Sequence, residues 1–303
     1  MRIRALAHLA VVALLLGACG DDDGDTTTDT SDGTTTTGDP TTTSSADSST
    51  TSEPDAETVD LSVYFLDESG QLRIGWKREI VAPAVAEGVV ESLLRGITDE
   101  DQALGLTTAI PEGTTLNSID ISDDGIGTVD LSAEFAAGGD EASAKARLAQ
   151  VVYAMTQFPT VEQVEILVDG EPLTAVGDAG VAVDGPMVRA DFQWGGTYEG
   201  PEGLVLAETP RPGATIEGPT VDVGGSANTF EATVYLEATD AAGNVLVPEE
   251  FTTATSGSGT PGTFYTTLSF PEGTTGEVVI RVYELSAEDG SRRSVNELPI
   301  TLE

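Results

Sequence analysis

Histidine and cysteine are almost missing from this chain: 303 residues hold one of each, His8 and Cys19. Beyond Cys19 there is no imidazole and no thiol. That excludes a Ser-His-Asp or Cys-His nucleophile and an ordinary zinc site, which need a base titrating near neutrality or soft nitrogen and sulfur ligands. Lysine is nearly as scarce. Lys77 and Lys145 stand alone, and neither follows a serine at the Ser-x-x-Lys spacing of a serine–lysine dyad. Carboxylates are so abundant, 52 Asp and Glu against 13 Lys and Arg, that a pair falls at any spacing by chance and is no sign of glycosidase chemistry. The acidic stretches Asp21 to Asp25 and Asp120 to Gly125 both break the Asp-x-Asp-x-Asp-Gly calcium spacing and read as solvated turns. The sequence therefore predicts no catalytic residue, no metal site and no cofactor. A net charge of -39 argues further against nucleic acid and anionic membrane surfaces as partners, because phosphates would be repelled.

What is present begins with a leader. Arg2 and Arg4 precede an apolar run from Ala5 to Leu16, too short to span a bilayer, and Gly17-Ala18 supplies the small residues that signal peptidases require. The sequence Leu16-Gly17-Ala18-Cys19 resembles the bacterial lipobox. Residues 1–18 are thus expected to be a lipoprotein signal peptide, with Cys19 as the lipidated residue and the membrane as a partner through that lipid. Two acyl chains hold a protein stably where one does not, since each buried methylene contributes about 0.8 kcal/mol. The expected location is the extracytoplasmic face of the bacterial cell membrane. Residues 19–58 contain no aromatic side chain and few aliphatic ones, so they read as a disordered tether rich in Thr, Ser and Asp. A flexible chain of that length spans about 30 to 40 Å.

Regular patterning starts at Val59. Val59, Leu61, Val63 and Phe65 alternate at period two and predict one strand, paired with Gln71 to Ile80 across the Asp67 to Gly70 turn. Pro83 then opens a helix whose apolar positions are Ala86, Val89, Val90 and Leu93, and Gly96 ends it. Leu116 to Ser122 and Ile126 to Leu131 form a hairpin across Asp123-Asp124-Gly125. Asp140 caps a second helix with the stripe Leu148, Val151, Val152, Met155 and Phe158, closed by Pro159. Val164, Ile166 and Val168 make a further strand. This order suits helices packed on one face of a small mixed sheet.

Several segments in that order, among them Leu93-Leu94-Arg95-Gly96, Ala109-Ile110-Pro111-Glu112-Gly113-Thr114, Val129-Asp130-Leu131-Ser132 and Gly185-Pro186-Met187-Val188-Arg189, together resemble the GerMN domain of the spore germination and sporulation protein M family. The likeness covers residues 59–192. It implies a fold and brings no catalytic residues with it. After a Gly- and Pro-broken linker, 193–203, residues 204–303 become all strand, with seven short β-rich runs that suggest a sandwich. Phe230, Val234, Leu236, Phe264, Leu268, Val279 and Val282 are its expected core. Pro210-Arg211-Pro212-Gly213, Ala227-Asn228-Thr229-Phe230-Glu231-Ala232 and Gly243-Asn244-Val245-Leu246 resemble the immunoglobulin-like domain of bacterial spore germination proteins. The expected fold class is therefore α+β: an N-terminal GerMN-like α/β sandwich, a mixed sheet with two helices, followed by an all-β immunoglobulin-like sandwich.

The resulting expectation is a non-enzymatic, membrane-anchored envelope lipoprotein that binds an envelope protein or itself, and is sporulation- or germination-like by resemblance. The alternative is a lipoprotein that binds or senses a cell-wall saccharide. GerMN domains resemble ring-building α/β modules, which implies that self-association would use the rims of the helices 83–95 and 140–158, helped by Trp76. The competing reading has Trp76 covering the sheet edge of its own domain and Trp194 packing at the domain junction.

Overall fold

The computed structural model describes residues 57–303; Cys19, the leader and almost all of the tether lie outside the described residues. The alternating run at the start does not form one strand. It gives β1 (Thr58–Leu61) and β2 (Tyr64–Leu66), which pair separately with β4 (Arg78–Val81) and β3 (Leu72–Ile74). The break has a visible cause. The side-chain amide of Gln157 accepts from the Ser62 N–H at 3.1 Å and donates to the Ser62 carbonyl at 2.9 Å, taking both groups out of the ladder.

α1 (Val85–Arg95) ends where Gly96 takes φ +84°, a conformation costly for any residue with a Cβ. A short helix absent from the sequence reading follows, α2 (Asp99–Ala103), capped by Thr98 and Asp101 in a reciprocal box. β5 (Leu116–Ile121) and β6 (Ile126–Leu131) form the expected hairpin, and Gly125 in its turn has φ +79°. α3 (Glu141–Met155) begins as expected, with the Asp140 carboxylate accepting from the Ser143 N–H at 2.9 Å. It stops at Met155, before Phe158, and nearly every side chain from Ala146 onward is buried, not one stripe alone. β7 (Gln163–Val168) runs parallel to β6, and β8 (Glu171–Pro172) folds back on it, giving the mixed sheet β5-β6-β7-β8. Val129, Leu131, Val164 and Ile166 are buried in this sheet, on which α1 packs at β5 and α3 at β7. The short pair β9 (Ala175–Val176) and β10 (Val181–Ala182) completes the module.

The C-terminal module is a sandwich. β11 (Val205–Thr209), β13 (Thr220–Ala227) and β16 (Gly262–Ser269) make one sheet, in the order β11-β13-β16. β12 (Thr215–Ile216), β14 (Thr233–Asp240), β15 (Val245–Thr253), β17 (Gly276–Leu285) and β18 (Arg292–Leu302) make the other, in the order β12-β18-β17-β14-β15. Val223, Leu236, Phe264, Leu268, Ile280, Val282 and Leu298 lie in the core. Two of the expected core residues do not. Phe230 is 53% exposed, because Glu231 and Ala232 take φ of 52° and 57° and the ladder begins only at Thr233. Val279 is half-buried on the outer face, since the period-two register places Val278, Ile280 and Val282 inward instead.

Where the two sheets separate, a side chain completes the hydrogen bonding. The Asn296 amide donates to the Val205 carbonyl at 3.1 Å and accepts from the Ala207 N–H at 3.1 Å, bridging β18 to β11 much as another strand would.

Candidate functional site

The described residues belong to one compact unit, and a buried group of ionisable side chains lies where its two modules meet. β3 packs on β11, so the first hairpin of one module rests against the first strand of the other. Tyr64 on β2 donates its hydroxyl to Glu208 on β11 at 2.5 Å. Arg189 pairs with the same carboxylate at 2.7 Å, donates to the Thr156 hydroxyl at 2.7 Å and lies 4.6 Å from the Tyr153 ring centroid. On the far side of that ring the Tyr153 hydroxyl donates to Glu202 at 2.7 Å, and the Ser226 hydroxyl on β13 donates to the other Glu202 oxygen. A third contact runs through Arg73, buried on β3, which pairs with Asp67 at 2.6 Å and donates to the Val295 carbonyl at 3.2 Å.

The electrostatics follow from burial. Desolvation pushes both phenols up, Tyr64 further through the negative charge of Glu208 and Tyr153 through that of Glu202. Burial also raises Glu202, although the Ser226 and Tyr153 hydroxyls oppose the shift. Burial alone would depress Arg189, but Tyr64 and Glu208 outweigh it and hold the guanidinium above its ordinary range. Two carboxylates beside phenols and an arginine hold the ingredients of acid–base chemistry. Here, however, Glu202 is only 4% exposed and both its oxygens are occupied by the protein's own hydroxyls. What the cluster does is lock the modules together.

That raised carboxyl has a pH signature. Glu202 holds its proton more tightly in the folded than in the unfolded chain, so its contribution to stability is complete below the unfolded value, near pH 4.3, and is lost as pH rises through the folded value. Glu202→Gln cannot titrate. The stability of the natural chain relative to this variant should fall with increasing pH above about 4.3. A difference that stays flat in urea titrations across that range would show that Glu202 is not shifted.

Part of the segment 193–203 packs on the N-terminal module. Tyr198 stacks on Phe192 with ring centroids 5.3 Å apart, the Pro201 carbonyl accepts from the Leu72 N–H at 2.6 Å, and Gly203 sits where a Cβ would come within 2.6 Å of the Gln71 side chain. Trp76 reaches beyond its own module. It packs on Gly213 of the other, where a Cβ would meet the indole at 2.3 Å, and the adjacent Lys77 N–H donates to the Pro212 carbonyl at 2.8 Å. Trp194 lies near Gly259 but is 62% exposed. The helix rims expected to mediate self-association differ in what they offer: α1 exposes Glu87, Glu91 and Arg95, whereas α3 is buried beyond its first turns.

Several large rings stand in solvent. Phe251 is 68% exposed, and Tyr265 and Phe230 are also open. Phe251 has the parity of the buried Val247 and is turned outward by the bulge between them, where it stands opposite Tyr235; Phe230 precedes its strand. Among the described residues no group of three His, Cys, Asp or Glu side chains could hold a metal ion, and no helix is long and apolar enough to cross a membrane.

This architecture, an α/β module clamped to a β-sandwich, agrees with two family models. Residues 62–174 match Germane, described as sporulation and spore germination, and residues 204–291 match Gmad2, the immunoglobulin-like domain of bacterial spore germination. The protein thus joins a GerMN domain to a spore-germination immunoglobulin-like domain. Among solved structures, the tandem GerMN domains of the sporulation protein GerM from Bacillus subtilis match at 21% identity and TM-score 0.40, over 64% of this chain and 59% of that one. The first GerMN domain of the same protein matches at 22% identity and TM-score 0.35, over 44% of this chain and 98% of that one. A Clostridium perfringens protein provisionally named a lipoprotein matches at 23% identity and TM-score 0.33, over 46% of this chain and 95% of that one. No curated protein matches significantly in sequence.

Proposed function

We propose that the protein is a lipid-anchored envelope lipoprotein whose clamped modules act as one rigid, non-enzymatic protein-binding body. The observation that carries this reading is the contrast between interior and surface. The carboxylates buried at the module junction are engaged by partners within the chain, while Phe251 and Trp194 stand in solvent. Large exposed rings on a rigid support are the usual anchors of protein interfaces. The family models add a sporulation and germination context. Crosslinking intact cells and recovering the protein tests the reading. A partner retained by the natural chain and lost on combined replacement of Phe251 and Trp194 supports it; recovery of the chain alone opposes it.

The saccharide reading keeps one supporting observation. Trp194 borders a groove of about 190 Å³ that Gln71 and Asn228 also line, and a ring beside amides suits a neutral sugar. Saturable binding of muropeptides with turnover would replace the scaffold reading by this one.

Anchoring through Cys19 has its own test. Cells fed a palmitate analogue should label the natural protein and leave Cys19→Ala unlabelled. Label retained on the variant would refute lipidation at that residue.

A further inference from the structure

The outer face of the five-stranded sheet carries three rings in register across neighbouring strands. Phe251 on β15 stands opposite Tyr235 on β14, and Tyr235 opposite Tyr283 on β17. Their centroids are spaced at 6.3 and 6.2 Å, and the two tyrosines stack with 14° between their planes. One end of the row is closed by the chain itself. Arg292 on β18 places its guanidinium 4.3 Å from the Tyr283 centroid, forks onto Glu237 at 2.6 and 2.8 Å and reaches within 3.6 Å of Glu249. Glu249 also accepts the Tyr283 hydroxyl at 2.6 Å, through the same Oε2 atom. The other end is open: Phe251 lies at the sheet edge, two residues along the same strand from the half-exposed carboxylate of Glu249.

We propose that this open end docks an arginine-bearing segment of a partner protein, its guanidinium lying over the Phe251 ring, which is tilted 54° from Tyr235, and pairing with Glu249. The binding mode is the one Arg292 already makes over Tyr283, repeated at the open end of the row. Charge selects the occupant. A second copy would bring another -39, and nucleic acid or an anionic bilayer would be repelled, whereas a basic segment is attracted over the whole surface. The rings then select arginine over lysine, because a planar guanidinium stacks on an aromatic face and forks to a carboxylate while an ammonium is a compact, strongly hydrated charge. This proposal rests on the protein-binding reading and names the chemistry of its partner.

The test uses the full chain in neutral detergent and two labelled peptides of equal length and charge, with arginines or lysines spaced by glycine. Fluorescence anisotropy is read at about 0.15 M salt, where distant charges are screened. The arginine peptide should bind about 2- to 5-fold more tightly than the lysine peptide. Phe251→Ala should abolish that preference without changing the net charge, and Phe251→Tyr should keep it. Phe251→Thr, a good strand former at an exposed site, checks that any loss reflects the ring and not the fold. Equal affinity for the two peptides, or a preference that survives Phe251→Ala and Phe251→Thr, overturns the proposal. The two readings fail separately. A cellular partner captured independently of Phe251 would remove this surface and keep the scaffold, whereas a Phe251-dependent arginine preference with no captured partner would do the reverse.

Discussion

Replacing Asp101 with Ala should destabilise the folded chain by roughly 3–5 kcal/mol, the usual cost of breaking a buried ion pair by removing one partner. Asp101 is fully buried, with no exposed surface, at the third position of α2. Its Oδ1 accepts from the Trp76 N–H at 2.7 Å, and its Oδ2 accepts from the Thr98 N–H at 2.8 Å and pairs with Arg78. One carboxylate therefore ties α2 to the strand-to-strand corner at Gly75 and Trp76. Removing it leaves two backbone N–H groups without their acceptor and a largely buried guanidinium without its counter-charge, held only by its hydrogen bond to the Trp76 carbonyl at 2.6 Å. Gly75 shows how tight the corner is, since a Cβ there would come within 2.8 Å of the same carboxylate. At about 2–4 °C per kcal/mol for a unit of this size, the melting temperature should drop by roughly 10 °C. Asp101→Asn keeps one acceptor and should fall between. A calorimetric scan in which the Ala variant melts within a degree or two of the natural chain would refute the account.

The same residue shows where sequence reading stops. α3 was legible because its cap, Asp140, and its apolar run occupy consecutive turns, and the hairpin at Gly125 was legible because Asp-Gly sits between two alternating runs. The seven longer strands of the sandwich were equally plain from their β-branched and aromatic content. α2 has the capping pair Thr98 and Asp101 but only five residues and no apolar stripe, so nothing distinguished it from a loop. The junction was less legible still. Tyr64, Arg189, Glu202 and Glu208 are polar residues scattered over 145 positions, and only the folded chain brings their hydroxyl, guanidinium and carboxyl groups together. Gln157 is similar: its effect is to split a strand whose own alternation reads as continuous. Phe230 erred in the other direction, because its hydrophobicity predicted burial and the left-handed turn at Glu231 and Ala232 places it outside.

Separating the modules should then have a large effect. The sequence alone gives no reason for the halves to depend on one another, and predicts that 59–192 and 204–303 each melt cooperatively. In the structure the halves share their buried surfaces. A fragment ending at residue 192 loses the acceptors of the Tyr64 and Tyr153 hydroxyls, the partner of Arg189 and the strand that covers β3. It also loses Tyr198 from the face of Phe192 and the loop that packs on Trp76. Water satisfies the freed polar groups, so the cost is mainly apolar area returned to solvent, about 25 cal/mol for each Å², plus about 1 kcal/mol for each hydrogen bond that is not recovered. With several aromatic rings involved, a loss on the order of 5 kcal/mol follows. Residues 57–303 should melt in one transition, and the fragment 59–192 should melt at least about 10 °C lower. The C-terminal fragment should lose less, because Asn296 and the sandwich core remain with it. Differential scanning calorimetry of the intact and divided chains decides this. Two transitions in the intact protein, each matching one isolated fragment, would show that the clamp at Glu208 and Glu202 contributes nothing to stability and that the modules are independent after all.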